Sequence, residues 1–191
     1  MDRFVAYDGA KGLTMGYFHT AGLPLAAEAK KYVLCDRFFH SAFGGSFLNH
    51  MWLVAAIDKG DLPQVSFYKP QGTYNEHPGN TDVLSGDIHI AGLIGKIKAS
   101  ALWPTTAIIV TYDENGGFWD HVPPPAGDRW GPGSRIPAII VSPYARRGYV
   151  DHTQYDTTSI IKFITLRFGL ESLPGVRPSA GDLTAAFDFG Q

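Results

Sequence analysis

The segment Thr111 to Val122 reads TYDENGGFWDHV, with three acids and a histidine crowded just after the apolar run Ala107-Ile108-Ile109-Val110. In open parallel sheets, ligands gather at the carboxyl ends of strands. The spacing therefore brings Asp113 and Glu114 out at a functional rim. Gly116 and Gly117 let the backbone turn sharply there. Adjacent carboxylates diverge on a regular strand, but a loop can wrap both around one cation. Hard oxygen ligands suit a divalent metal. The same pair also fits an acidic, solvated turn.

Two further stretches carry candidate chemistry. In His40-Ser41-Ala42-Phe43-Gly44-Gly45-Ser46-Phe47-Leu48-Asn49-His50, two glycines precede a serine that opens a helix. Ser46 then stands at the positive end of a helix dipole, where an anion or a forming alkoxide is favoured. A plain serine cap explains the same placement. The stretch is neither a hydrolase elbow, because Leu48 replaces the last glycine, nor a P-loop. In Asn75-Glu76-His77-Pro78-Gly79, Pro78 holds His77 extended. A rigid loop histidine can hydrogen-bond an oxyanion or protonate a leaving group, and it can equally be a bystander. His121 follows Asp120 and precedes three prolines, so an acid could hold it in place. His19, His40, His89 and His152 carry no motif and read as surface or core-edge residues.

The elements that must position these residues follow from periodicity. Residues 22–31, 46–57, 85–101 and 157–168 are expected helices, with Ser85 as the cap of the third. Residues 32–39 and 64–68 are expected to be extended. Residues 107–111 and 136–141 are continuous β-branched runs, the pattern of strands buried on both faces of a parallel sheet. Residues 1–19 and 70–82 are glycine-rich and irregular. Alternating strands and helices give an α/β layered fold.

The 191 residues suit a single domain, 1–191. Hydrophobic residues at 45% against 18% charged place the chain among globular proteins rather than disordered ones. A net charge of -2 without a basic block argues against nucleic acid as a partner. The single cysteine, Cys35, excludes an intrachain disulfide framework and reads as a buried, inert thiol. No stretch has the length of a membrane span, so no integral membrane contact is expected. The start MDRFVAYDGAKG shows no signal peptide, which gives a cytoplasmic expectation for the chain as it stands.

Taken together, TYDENGGFWDHVPPP closely resembles the signature of the bacterial phosphoesterase family of phospholipases C and acid phosphatases, within the alkaline-phosphatase superfamily. Four segments resemble the same family in the same order: 35–50 (CDRFFHSAFGGSFLNH), 62–79 (LPQVSFYKPQGTYNEHPG), 127–164 and 182–189 (DLTAAFDF). The resemblance implies an alkaline-phosphatase-like core, with a mostly parallel sheet sandwiched by helices. It implies that Ser46 is the nucleophile that forms a phospho-enzyme, and that His77 contacts the phosphoryl group or assists the leaving group. It assigns Asn49, Gly45 and His121 to substrate binding, and Asp113 and Glu114 to a divalent metal (Zn, Ca, Mn or Mg). Relatives are often exported.

The sequence also departs from the family pattern. The family's early E-N-x-S-F-D segment, whose Glu-Asn pair helps hold the metal, has no counterpart here. The stretch between the Ser46 helix and Leu62 is much shortened. The chain resembles a member without its first strand and a middle region. Loss of a strand exposes a sheet edge, and a homo-oligomer is expected from that. Three functions follow as expectations. The first is metal-dependent hydrolysis of a phosphate mono- or diester, phospholipid-type esters included. The second is a catalytically impaired remnant that binds phosphate or self-associates. The third is a serine carboxylester hydrolase using Ser46 and His77.

Overall fold

The computed structural model describes residues 19–39 and 64–190. The expected helix 46–57, and with it Gly45, Ser46 and Asn49, lies outside the described residues, as does His40.

Among the described residues, three α-helices and six short strands make up the regular structure. A 3-10 turn, Thr20–Gly22, leads into α1, Pro24–Lys31. Pro24 is tolerated there because the first helical turn has no intrahelical partner for its N–H. Strand β1, Val33–Cys35, follows at once, then β2, Phe38–Phe39. Helix α2 spans Val83–Lys98. Strands β3, Ile108–Thr111, and β4, Ala138–Val141, carry the two β-branched runs. Strands β5, Tyr149–Asp151, and β6, Tyr155–Asp156, precede α3, Thr158–Phe168. Gly169, at φ 63°, closes α3 in the left-handed conformation that suits glycine.

The central sheet runs β3-β4-β1-β5, and β2 pairs with β6 in a second, two-stranded sheet. Strand β4 is antiparallel to both β3 and β1, while β1 is parallel to β5. Three of the four strands therefore point one way, with β4 reversed between them. The α/β architecture is as expected, but only one of the sheet's direct pairings is parallel. An apolar run records burial on both faces, and it does not record strand direction. Strand β4 is buried along its whole length, whereas β3 is a half-buried edge strand among the described residues. Residues 64–68, expected to be extended, form no strand.

Helix α1 lies against β1 and β4, and α2 packs on α1. The core joins Val33, Cys35, Phe38, Ile94, Ile140, Val141, Tyr155 and Leu183. Lys98 ties the two helices together: its ammonium donates to Glu28 at 3.0 Å and sits 5.0 Å from the Tyr32 ring centre. The cap of α2 is Asp82 rather than Ser85. Asp82 accepts the Ser85 N–H at 2.8 Å and the Ser85 hydroxyl at 2.7 Å. Among the described residues, no helix is long and apolar enough to cross a membrane.

Candidate active site

Because β1, β3 and β5 share a direction, their carboxyl ends meet at one rim. Strand β3 delivers Tyr112, Asp113 and Glu114 there, and Thr111 is pinned by donating its hydroxyl to the Pro137 carbonyl at 3.0 Å. The loop then stitches itself. The Glu114 N–H donates to Asp113 Oδ1 at 3.1 Å, and the Gly116 N–H donates to Glu114 Oε2 at 2.8 Å. Gly116 and Gly117 have φ of 58° and 83°, a left-handed pair that only glycine adopts freely. Asn115 Nδ2 closes the turn on the Phe118 carbonyl at 2.9 Å.

His77 approaches from the loop before α2. Its backbone N–H donates to Asn75 Oδ1 at 3.0 Å, and its ring Nδ1 lies 2.8 Å from the Pro78 carbonyl. A carbonyl oxygen only accepts, so Nδ1 carries a proton and Nε2 is the ring nitrogen left for other partners. Nε2 stands 4.0 Å from Glu114 Oε1. On the other side, the Lys69 ammonium is 3.7 Å from Asp113 Oδ2. The structure thus brings His77, Asp113 and Glu114 together. A shallow depression lined by Gln71, Gly72, Thr73, Gly79 and Asn80 lies on the same loop but holds none of the candidate residues.

The second half of the acidic loop is fixed by a residue the sequence did not single out. Arg135 donates to both oxygens of Asp120, at 3.0 and 3.1 Å, and to the Asp36 carbonyl at 3.1 Å. The loop is therefore tied to the end of β1. Asp120 also accepts the Val122 N–H at 3.2 Å. Its carboxylate serves Arg135 and the backbone, and His121 is exposed. Farther along the rim, His152 Nδ1 lies 2.8 Å from Asp36 Oδ2. His89 stacks on Tyr74 at 4.5 Å and pairs with the Tyr68 hydroxyl at 2.6 Å.

Next to these residues lies a polar trio, with Glu76 and Asp87 buried and Tyr112 half-buried. Glu76 has a φ of 60° and is 7% exposed, and its Oε2 accepts the Tyr112 hydroxyl. Burial pushes the Glu76 carboxyl up from its ordinary value, against the pull of the Tyr112 hydrogen bond. Burial raises Tyr112 as well, so the phenol stays protonated and donates. Asp87, on α2, is raised by burial and accepts the Leu25 N–H at 3.0 Å. A signal for this trio existed: Gly86 lies inside the helical pattern, and an interior glycine often marks a close approach.

Asp113 and Glu114 are hard oxygen donors of the kind a divalent cation takes. Among the described residues no group of three or more His, Cys, Asp or Glu converges as a cation cage. The described residues thus offer two carboxylates of the donor type that such a cation takes.

Comparison with known proteins adds an independent line. The model of the Phosphoesterase family matches residues 1–60 and 55–171. These two blocks meet where the sequence reading finds the shortened middle. A non-hemolytic phospholipase C of Pseudomonas aeruginosa is 33% identical over 177 residues, covering 72% of this chain and 26% of that protein. Phospholipase C A of Mycobacterium tuberculosis is 34% identical over 162 residues, 71% of this chain and 31% of its own length. A non-specific phospholipase C6 of Arabidopsis thaliana is 30% identical over 146 residues, 60% of this chain and 28% of its own. The chain spans about a quarter to a third of the length of these relatives.

Proposed function

The chain belongs to the Phosphoesterase family, and on that premise we propose that it hydrolyses phosphate esters through a serine nucleophile. The observation that carries the reading is the meeting of His77 Nε2 with Glu114 Oε1, 4.0 Å apart, beside Asp113 at the carboxyl end of β3. The similarity to proteins named phospholipase C directs the proposal to phosphate mono- and diesters, phospholipid-type esters among them.

In this reading the ester phosphate binds beside Asn49, Gly45 and His121. Asp113 and Glu114 would hold a divalent cation, which when bound supplies charge neutralisation and lowers the hydroxyl pKa. Ser46 Oγ attacks phosphorus in line, the ester oxygen leaves, and the serine proton is lost to solvent or to the base that activates it. His77, with Nδ1 donating to the Pro78 carbonyl, would in its protonated form use Nε2–H to donate to a phosphoryl oxygen or to give that proton to the departing oxygen. Water then attacks the phosphoserine and releases phosphate. The half-buried edge strand β3 supports a homo-oligomer, which sedimentation velocity on the purified chain tests directly.

The test is hydrolysis of chromogenic phosphate mono-, di- and triesters, with and without a chelator, by the wild type, Ser46→Ala and Asp113→Ala. Turnover that requires a divalent metal and is lost in both variants is the expected result. Full activity in Ser46→Ala overturns the nucleophile assignment. Phosphate binding without turnover at any metal overturns catalysis and leaves the phosphate-binding remnant as the reading.

A further inference from the structure

Two segments that are remote in sequence build the candidate site, and something must hold them in register. Three contacts that join them stand out among the described residues. Lys69 to Asp113 and His77 to Glu114 are ion-pair distances of 3.7 and 4.0 Å, made by side chains that are 59% and 45% exposed on the Lys and His sides. Such contacts are soft. The third is the hydrogen bond from the Tyr112 hydroxyl to Glu76 Oε2, across 36 positions, and both groups are sheltered. Each partner lies one residue before a group at the site: Glu76 before His77, Tyr112 before Asp113.

We propose that Glu76 is a positioning residue, which acts through its hydrogen bond with Tyr112 to set His77 opposite Glu114. The proposal rests on the phosphoesterase reading for its catalytic consequence. Three features of the fold are arranged around this acid. Its left-handed backbone, at φ 60°, is one that a long side chain adopts only when its surroundings impose it. That kink sends the Glu76 side chain inward while the next side chain, His77, turns outward to the rim. Space for the inward turn is made on α2 by Gly86. A Cβ there would stand 2.3 Å from Glu76 Cγ, 2.8 Å from the Tyr74 carbonyl and 2.9 Å from Glu76 Oε1. Finally, Asp87 is buried nearby, so a second acid adds repulsion to an already desolvated carboxyl. An apolar residue would pack there at lower cost, whereas only an acceptor at this position can bind the Tyr112 hydroxyl.

The variants Tyr112→Phe, Glu76→Ala and Glu76→Gln test this. Glu76→Gln keeps an acceptor oxygen for Tyr112. Two readouts are needed. The first is kcat and KM on an alkyl phosphate, whose poor leaving group needs a proton, and on a nitrophenyl phosphate, which does not. Tyr112→Phe and Glu76→Ala are expected to lower kcat on the alkyl ester on the order of tenfold or more. KM and the nitrophenyl rate should hold within about twofold, and Glu76→Gln should restore the alkyl rate. The second readout is the imidazole NMR signal of His77, assigned by its loss in His77→Ala. It should move in Tyr112→Phe and return toward wild type in Glu76→Gln. An unmoved His77 signal in Tyr112→Phe overturns the proposal. So does an equal loss on both esters that follows the melting temperature and that Glu76→Gln fails to rescue. If the wild type turns over no ester, the phosphoesterase reading fails, and the His77 signal still decides whether Glu76 positions it.

Discussion

His77 presents one defined nitrogen to the rim because the Pro78 carbonyl occupies the other. If Nε2 delivers the leaving-group proton, His77→Ala should slow alkyl phosphate hydrolysis by roughly 10²- to 10⁴-fold and nitrophenyl phosphate hydrolysis far less. A steady-state comparison of the two esters measures this difference. Gly86 gives a second prediction. Gly86→Ala puts a methyl group 2.3 Å from the Glu76 side chain and 2.8 Å from a backbone oxygen that cannot move cheaply. It should destabilise the protein by about 1 to 3 kcal/mol, the ordinary cost of overpacking, despite the better helix propensity of alanine. Urea denaturation reads that directly. At this scale the sequence showed the identity of the rim residues but not their partners. Asp113, Glu114 and His77 stand out by type and by neighbouring glycines and proline. Glu76 does not, because glutamate has no preference for a left-handed backbone. Nothing in the order E-H-P tells which side chain turns inward.

Helix α2 carries the floor of the site, and its first turn depends on Asp82. The Ser85 hydroxyl, then the Ser85 N–H, hold the Asp82 carboxyl below its ordinary value of 3.8. A depressed carboxyl adds stability above its ordinary pKa and loses it as pH falls through the lower, folded value. Asp82→Ala should therefore lower the melting temperature at pH 7, and its difference from wild type should shrink as pH drops below 3.8. Calorimetry across that range checks the sign. Helices were largely visible in the sequence: α3 falls within one residue of its expected start, because its apolar spacing and its glycine stop agree. Residues 64–68 misled because a short apolar run between prolines fits a strand as well as a loop. The reversal of β4 was hidden for another reason. Its apolar run records cover on both faces, and such a run serves a strand of either direction equally well.

Across the whole molecule, Arg177 joins parts that are far apart in the chain. Its guanidinium donates to Asp156 Oδ2 at 2.8 Å, at the start of α3, and to Asp128 Oδ2 at 2.9 Å, on the loop before β4. Asp156 is 2% exposed. Arg177→Met would remove the guanidinium from Asp156 Oδ2 while Oδ1 keeps the Thr158 N–H, and it should cost about 1 to 3 kcal/mol, read as a lower urea midpoint at unchanged slope. The lone thiol offers a way to watch such losses. Cys35 is 2% exposed on β1, with β4 on one side and β5 on the other. Burial first, then the charges of Asp151 and Asp36, push it up to about 12. At neutral pH an alkylating reagent therefore meets almost no thiolate until β1 leaves its neighbours. Cys35 is a built-in clock whose ticking rate is the opening of the sheet, and it needs no engineered probe. Arg177→Met should quicken it, while Tyr112→Phe, if it only realigns the rim, should leave it running at the wild-type pace.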